Sequence, residues 1–262
     1  MIYGVSLSQK KIKILLIGSS GTLGKTIAKN KFFSKAVKPS KKKLNITKRS
    51  DVKKYLRKDF QIIINCAAIS SVKDCENKPS LAYKVNVNGV KNLVKEILEY
   101  KKDTKKNILL VHISSDAVYP PKRGNNSEKS KLIPYNIYGN TKYKSESIVK
   151  KLDRFTIIRT RFFDKHKIKF KDAATDIFSS MLEVKDIVRN IIFLLKIDYT
   201  GVINVGGEKI SDFNAIKKFN KKIKKTSTKE ILRKTKYTIA TDASLNISLL
   251  KKLKKKYEKI RL

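Results

Sequence analysis

The chain contains few of the residues that build metal sites or disulfide frameworks. Its 262 residues include two cysteines, Cys66 and Cys75, and two histidines, His112 and His166. These four residues show none of the spacings that hold zinc in proteins. The sequence therefore predicts reduced thiols and no bound metal.

Long apolar runs are also missing. No run approaches the ~18 to 20 residues that a membrane-spanning helix requires. The N-terminal sequence M-I-Y-G-V-S-L-S-Q-K-K lacks the layout of a signal peptide. We therefore expect a cytoplasmic protein without a membrane span, long enough to bury a full hydrophobic core.

Acidic residues are scarce, with 22 Asp and Glu against 62 Lys and Arg, so the formal net charge is +40. A field of this sign attracts polyanions without sequence preference. The lysines are spread through nearly every segment, however, and Lys, Asn and Ile are abundant together, as codon bias in an A+T-rich genome would produce. We therefore expect no specific nucleic-acid partner, and polyanion binding is the weakest of the functional alternatives.

The basic C-terminus carries an apolar stripe formed by Leu249, Leu250, Leu253, Tyr257 and Ile260. Its spacing suits a helix with one apolar face. Such a face either lies on an external surface or packs against its own domain. We expect the second arrangement.

Short apolar runs alternate with helical patterns along most of the chain. Alternating strands and helices are typical of an α/β protein with a parallel sheet, right-handed crossovers and helices on both faces. The clearest helical pattern places Leu81, Val85, Leu93, Val94, Ile97 and Leu98 on one side. The predicted buried strands are Ile12 to Ile17, Gln61 to Ala68, Asn107 to Ser114 and Phe155 to Thr160.

A glycine-rich loop, G-S-S-G-T-L-G, follows the first predicted strand. Gly18 permits a tight turn, Gly21 lets the backbone approach a pyrophosphate, and Gly24 lets the next helix pack close to the sheet. Amides at the start of that helix would hold the phosphates. The G-x-x-G-x-x-G spacing is a variant of the dinucleotide fingerprint and predicts a nicotinamide cofactor.

The choice between NADPH and NADH depends on the end of the next strand. A carboxylate there usually binds the adenosine ribose. Here the strand predicted to follow the first helix, ahead of the strand at Gln61, ends in the sequence A-V-K-P-S-K-K-K, which contains no acid. Its lysines suit a 2′-phosphate, so we expect NADPH or NADH with a preference for NADPH.

The stretch from Val111 to Lys142 contains the candidate catalytic residues. Its strand ends at Ser115, and a helix is predicted to begin near Ile137, which places Tyr138 and Lys142 on one helical face. A nearby ammonium would lower the pKa of the Tyr138 phenol, and the Ser115 hydroxyl would stabilise charge on a carbonyl oxygen. Together they would move a proton at an oxygen while a hydride moves at its carbon.

In order along the chain, these motifs resemble the extended short-chain dehydrogenase/reductases that act on nucleotide sugars, most closely the dTDP-4-dehydrorhamnose reductase branch. The resemblance spans nearly the whole chain and weakens after Thr160. Its strongest motifs are G-S-S-G-T-L-G at Gly18, L-N-I-T at Leu44, I-N-C-A-A at Ile64, L-A-Y-K-V-N-V-N-G-V-K-N-L at Leu81, H-I-S-S-D-A-V-Y at His112 and I-Y-G-N-T-K at Ile137.

The resemblance implies a role for each matching position. Ser115, Tyr138 and Lys142 would be catalytic, and Ala117 and Arg161 would lie on the substrate side. The implied cofactor-binding set comprises Gly18, Ser20, Gly21, Thr22, Leu23, Gly24, Asn45, Ile46, Cys66, Ala67, Ala68, Asn86, Ser114, Tyr138 and Lys142.

The resemblance also implies a reaction and a domain organisation. We expect an NAD(P)H-dependent reductase of a nucleotide-activated 4-keto-6-deoxy sugar, used in surface polysaccharide synthesis. A nucleotide-sugar epimerase with the same triad, or a non-catalytic cofactor-binding regulatory subunit, remains an alternative. We expect a Rossmann domain over residues 11–165 and a small, reduced substrate lobe over 166–262, with 184–205 returning to the sheet. Helices near 81–100 and 138–151 suggest a homodimer.

Overall fold

The computed structural model describes residues 12–167, 171–235 and 237–258. In this part of the chain a five-stranded parallel sheet has the order β1, β2, β3, β4, β9. The strands are β1 (Ile14–Ile17), β2 (Ile62–Asn65), β3 (Leu109–Ile113), β4 (Phe155–Thr160) and β9 (Gly201–Val205). Nearly all of their side chains are buried, because both faces of the sheet are covered by helices.

One face of the sheet packs against α1 (Thr22–Lys29), α7 (Val184–Lys196) and α10 (Ser248–Tyr257). The other packs against α2 (Arg49–Leu56), α5 (Gly89–Thr104) and α6 (Ile137–Val149). The fold is therefore the expected doubly wound Rossmann type. Leu250 of α10 is buried against the first face, with Leu249 and Leu253 beside it, so the C-terminal stripe packs on its own domain as predicted. Ile260 lies outside the described residues.

Small elements complete the C-terminal region. Two-stranded pairings join β5 (Phe162–Phe163) to β8 (Leu182–Glu183), β6 (Asp172–Ala174) to β11 (Lys224–Thr226), and β7 (Phe178–Ser179) to β10 (Ile210–Ser211). Along the chain, α8 (Asp212–Lys217) lies between β10 and β11, and α9 (Thr228–Lys234) follows β11. Among the described residues, no helix is both long and apolar enough to span a membrane.

Two local predictions were wrong. The second strand, expected to end at Ala36–Val37, is reduced to a single bridge between Val37 and Leu15. The turn of 3₁₀-helix at Lys31–Phe33 and the proline at position 39 leave little extended chain between them.

The predicted long helix near Leu81 is interrupted. After α3 (Val72–Asn77), the chain forms α4 (Pro79–Tyr83), a π-helical turn (Lys84–Asn88) and α5. The wider turn shifts the helical phase ahead of α5, and Leu81, which was expected on the buried side, is exposed. Leu98, also expected there, is exposed on α5 although Leu93, Val94 and Ile97 of the same helix are buried. The π-helical turn carries Asn86, which is buried beside the site described next.

Candidate active site

The carboxyl ends of β1 to β4 meet at one edge of the sheet, as in other parallel α/β folds. The loops that follow these strands surround a cavity of about 740 Å³. Most of the predicted site residues lie on its wall. They are Gly21, Thr22, Leu23, Gly24, Cys66, Ala68, Ser114, Ser115, Ala117, Tyr138, Lys142 and Arg161.

The glycine turn is packed tightly against the end of β2. Gly18 has a φ of +79°, and a Cβ there would lie 2.6 Å from the amide nitrogen of Ala67. A Cβ at Gly24 would collide with the carbonyl oxygen of Gly18. Gly21 precedes α1 and provides no side-chain cap for its amides. The turn therefore brings bare backbone and a helix N-terminus to the cavity, which fits a pyrophosphate.

Tyr138 and Lys142 are placed by the start of α6. The Asn136 side chain caps this helix by accepting a 2.7 Å hydrogen bond from the Gly139 amide. A Cβ at Gly139 would collide with the carbonyl oxygen of Ala117, so glycine allows α6 to touch the turn after β3. That turn holds Ser115, whose hydroxyl donates to Asp116 Oδ1 at 3.0 Å and lines the same cavity as Tyr138 and Lys142. The three predicted catalytic side chains are thus brought together.

The ionisation of this group differs from the prediction in one respect. Burial raises the pKa of Tyr138, the hydrogen bond with Ser115 opposes that rise, and the Asp116 carboxylate adds to it. The expected lowering of the Tyr138 pKa by Lys142 is therefore not what the structure has. Burial instead lowers the pKa of Lys142 to about 8, against the opposing charge of Glu146. A desolvated phenol keeps its proton, and a desolvated ammonium loses its proton more easily.

Asn86 connects the loop after β2 to α6. Its Oδ1 accepts a 2.8 Å hydrogen bond from the Ile69 amide, and its Nδ2 donates to Ile69 O and to Thr141 Oγ1, both at 3.0 Å. The Thr141 hydroxyl in turn donates to the carbonyl of Tyr138 at 2.7 Å. Asn86 therefore supports the site from behind its wall.

The other predicted cofactor residues also lie off the cavity wall. Gly18 packs against Ala67 at the base of the glycine turn, and Ser20 is exposed. Asn45 Oδ1 accepts hydrogen bonds from the amide and hydroxyl of Thr47, while Ile46 is buried against Gly89. Cys66 is on the wall, and burial raises the pKa of its thiol to about 12, so it remains protonated.

The sequence did not identify several residues that line the substrate side. Asp116, Tyr135 and Asp212 line the same cavity. Arg161 faces Asp212 at 3.3 Å and Asp116 at 4.0 Å, so its guanidinium already has carboxylate partners. Asp116 directly follows Ser115, and Tyr135 is three residues before Tyr138. Their nearness to the triad in sequence was the signal available.

His112 has a structural position. It is buried in β3, with Asn65 Nδ2 at 3.3 Å from one ring nitrogen and Ser145 Oγ at 3.0 Å from the other. Burial, together with the nearby Lys142 charge, holds the pKa of His112 well below its usual 6.5. The imidazole is therefore neutral in the folded protein at neutral pH.

This burial predicts a pH dependence of stability. The unfolded chain protonates this histidine at a pKa of about 6.5, whereas the folded chain protonates it only at lower pH. Acid therefore favours the unfolded chain, and the folded protein loses stability as pH falls below about 6.5. The free energy of unfolding of wild type should fall by up to about 1.4 kcal/mol per pH unit there from this group. His112→Gln should remove that part of the slope. His166→Gln, at an exposed position, should retain it, and parallel curves for wild type and His112→Gln would contradict the prediction.

The parallel sheet, the glycine turn and the Ser-Tyr-Lys cluster at its edge define an extended short-chain dehydrogenase/reductase type of fold. The chain belongs to the RmlD substrate-binding domain family, whose model matches residues 12–185.

Similar proteins bear related names. The dTDP-4-dehydrorhamnose reductase of Aggregatibacter actinomycetemcomitans is 30% identical over 154 residues, covering 56% of this chain and 49% of that protein. The chain spans about half the length of this curated relative.

Two solved structures share the fold over most of both chains. A dTDP-4-dehydrorhamnose reductase from Bacillus anthracis, in complex with NADP, has a TM-score of 0.82 at 24% identity, covering 92% of each chain. A hypothetical dTDP-4-dehydrorhamnose reductase from Sulfolobus tokodaii has a TM-score of 0.78 at 26% identity, covering 92% of this chain and 94% of that one.

Proposed function

We propose that the chain is an NAD(P)H-dependent reductase of a nucleotide-activated 4-keto-6-deoxy sugar, serving surface polysaccharide synthesis. The observation that carries the proposal is the placement of Ser115, Tyr138 and Lys142 on the wall of a cavity that also contains the glycine turn. Family membership and the names of the similar proteins support the same reaction class.

The residues around the turn fit a dinucleotide. Gly21 to Gly24 and the first amides of α1 would hold its pyrophosphate. Ala68 would line its adenosine side, and Lys142 would contact its nicotinamide ribose. When bound, the reduced nicotinamide supplies a hydride.

The chain's own residues would manage the oxygen of the keto group. Because burial raises the pKa of Tyr138, its phenol carries a proton at neutral pH and can donate it to that oxygen. Ser115 would orient the oxygen by a hydrogen bond, and the Lys142 ammonium would favour the phenolate as the proton leaves. A protonated phenol suits reduction better than epimerisation, which begins by removing a proton from an alcohol.

We assign Ala117 and Arg161 to the substrate side of the cavity, whose wall includes both residues. The Arg161 guanidinium lies 3.3 Å from Asp212 and 4.0 Å from Asp116. We assign residues 11–165 mainly to the cofactor and 166–262 mainly to the substrate, except for 184–205, where α7 packs against the Rossmann sheet and β9 belongs to it. Residue 11 lies outside the described residues.

Assembly and location are part of the same proposal. Leu81 on α4 and Tyr143 on α6 are exposed, and the two helices are joined by Lys144 over the ring of Tyr83, 4.8 Å from its centroid. We propose that this surface forms a homodimer, which sedimentation of wild type and Leu81→Glu would test.

We also propose action in the cytoplasm, where NADPH and sugar nucleotides are available.

The test of the reaction is NADPH oxidation, followed by absorbance, with a panel of dTDP-, UDP- and GDP-4-keto-6-deoxy sugars. Turnover with one of them would establish the reductase and identify its nucleotide. Tight cofactor binding without turnover, combined with interconversion of sugar epimers by protein that retains NAD, would replace the proposal with an epimerase.

A preference for NADPH is expected to depend on exposed lysines. Lys41, Lys42 and Lys43 lie in the turn that follows the Val37 bridge, where a 2′-phosphate would be located. Replacing all three with glutamine should raise the KM for NADPH about tenfold, equivalent to about 1.4 kcal/mol of binding, and leave that for NADH unchanged. Replacing Lys251, Lys252 and Lys255 on α10 removes the same charge elsewhere, and an equal effect there would refute the assignment.

A further inference from the structure

A buried ion pair lies directly beneath the candidate active site. Glu146 on α6 and Arg159 on β4 are each 1% exposed. Arg159 Nη2 donates to Glu146 Oε2 at 2.6 Å, and its Nε donates to Oε1 at 3.0 Å. Two charges are stable so far from water only when they are paired and fully hydrogen-bonded. The pair is therefore a fixed feature of the interior.

The carboxylate of Glu146 is also bonded to the end of β3. The Ser114 hydroxyl donates to Glu146 Oε1 at 2.6 Å. Ser114 immediately precedes Ser115, so this bond fixes the backbone from which the Ser115 hydroxyl projects. The hydrogen bond between Ser114 and Glu146 thus links the ion pair to the candidate active site.

Arg159 anchors the carboxylate from the opposite side. Its Nη1 donates to the Tyr119 hydroxyl at 2.8 Å, and that hydroxyl donates to Asn204 Oδ1, also at 2.8 Å. Asn204 lies on β9, and its Nδ2 donates to the carbonyls of Asn126 and Asn246. The position of Glu146 is therefore determined by β3, β4 and β9 together.

Glu146 also acts on Lys142 through charge. The two residues lie one helical turn apart on the buried side of α6, and Lys142 is 2% exposed. The other titratable groups that act on or adjoin Lys142 are Cys66 after β2, Cys75 on α3, His112 on β3 and Tyr138 on α6. Burial raises the pKa values of both thiols and of Tyr138 and lowers that of His112, so these four groups are neutral near pH 7.

We propose that Glu146, held by Arg159, is the positioning residue of this site: its carboxylate fixes Ser114 at the end of β3 and keeps Lys142 charged. The inference rests on the proposed reductase function for its kinetic consequences. Its effect on Lys142 does not require that function, because the charge of a lysine can be followed chemically in the free protein.

The first experiment compares pH profiles. The wild-type kcat should fall as pH rises through about 8, where Lys142 loses its proton. Glu146→Gln removes the carboxylate charge, so this alkaline limb should move to lower pH by about one unit. The matched control is Glu96→Gln, because Glu96 is equally buried and is paired with Arg49 on α2, away from the site. If Glu146 only stabilises the fold, both variants should give less folded protein, and the pH at which kcat falls should stay that of wild type.

The second variant separates the two roles. Ser114→Ala removes one hydroxyl and leaves the ion pair in place, so kcat should fall several-fold while the alkaline limb keeps its wild-type position. If Glu146→Gln does not fold, the double variant Glu146→Gln with Arg159→Met removes both charges and avoids an unpaired guanidinium. Its alkaline limb should also lie at lower pH.

The final readout is independent of turnover. Reductive dimethylation of Lys142, measured by mass spectrometry across a pH series, should occur at lower pH in the Glu146 variants than in wild type or Glu96→Gln. An unshifted profile in the Glu146 variants overturns the positioning role. If the profile is shifted in the Glu146 variants but wild type turns over no keto sugar, the positioning role is supported and the reductase is refuted.

Discussion

Replacing Tyr138 by phenylalanine is expected to lower kcat for the keto sugar by about 10²- to 10⁴-fold, the usual contribution of a positioned general acid. The change deletes one oxygen from a residue in the first turn of α6 and leaves the ring in place. Thermal stability and NADPH affinity should therefore remain close to those of wild type. Steady-state kinetics and a fluorescence titration of NADPH measure the two effects separately.

Tyr135→Phe is the matched control for this variant. Tyr135 lines the same cavity, and burial raises the pKa of its phenol as well. Tyr135 precedes α6 and does not share a helical face with Lys142, so it is not placed to donate to the same oxygen and its variant should retain most of the turnover. An equal loss in Tyr135→Phe would move the proton donor to that residue, and full activity in Tyr138→Phe would refute the triad.

Replacing Gly24 by alanine should both destabilise the fold and abolish cofactor binding. A Cβ there would collide with Gly18 O and lie 2.8 Å from Gly18 C, and both atoms belong to the backbone of the turn. Because neither atom is free to move away, overpacking of this kind should cost about 3 kcal/mol. For a chain of this length the midpoint of thermal unfolding should fall by roughly 6 to 12 °C.

Gly21→Ala is expected to weaken cofactor binding without destabilising the fold. Gly21 has ordinary extended angles, with φ of −73° and ψ of 170°, and a Cβ there would lie 3.6 Å from Gly18 O, a normal contact. Its thermal midpoint should match wild type, while NADPH affinity falls because the new methyl group occupies the path of the pyrophosphate. Unchanged affinity in Gly21→Ala would place the cofactor elsewhere.

The sheet could be predicted because its strands are short, mostly apolar and separated by helical patterns. Only their ends moved, by up to three residues, since buried strands and the turns that follow them share apolar residues. The Val37 strand was wrong because a 3₁₀ turn and a proline shorten it, and neither effect changes the hydrophobic pattern. The phase of the helix near Leu81 was wrong because a π-helical turn leaves no periodic signal.

The part of the candidate site that depends on local sequence spacing could be predicted. Tyr138 and Lys142 are one turn apart on a helix, and Ser115 ends a strand, so their meeting follows from the topology. The direction of the Tyr138 pKa could not be predicted, because it depends on how deeply the phenol is buried. The partners of Glu146 were missed for a similar reason. Arg159 in a buried strand indicates an ion pair, but the sequence does not show which acidic residue is its partner.

The match to the family model ends at residue 185, but the folded unit does not. Beyond that point the chain supplies β9, which pairs with β4, and α10, which covers the face shared by α1 and α7. A shortened chain ending at 185 would leave β4 as an exposed edge strand and remove Asn204 from the hydrogen bonds around Arg159. Such a truncation should aggregate, because the exposed edge of β4 would pair with other chains.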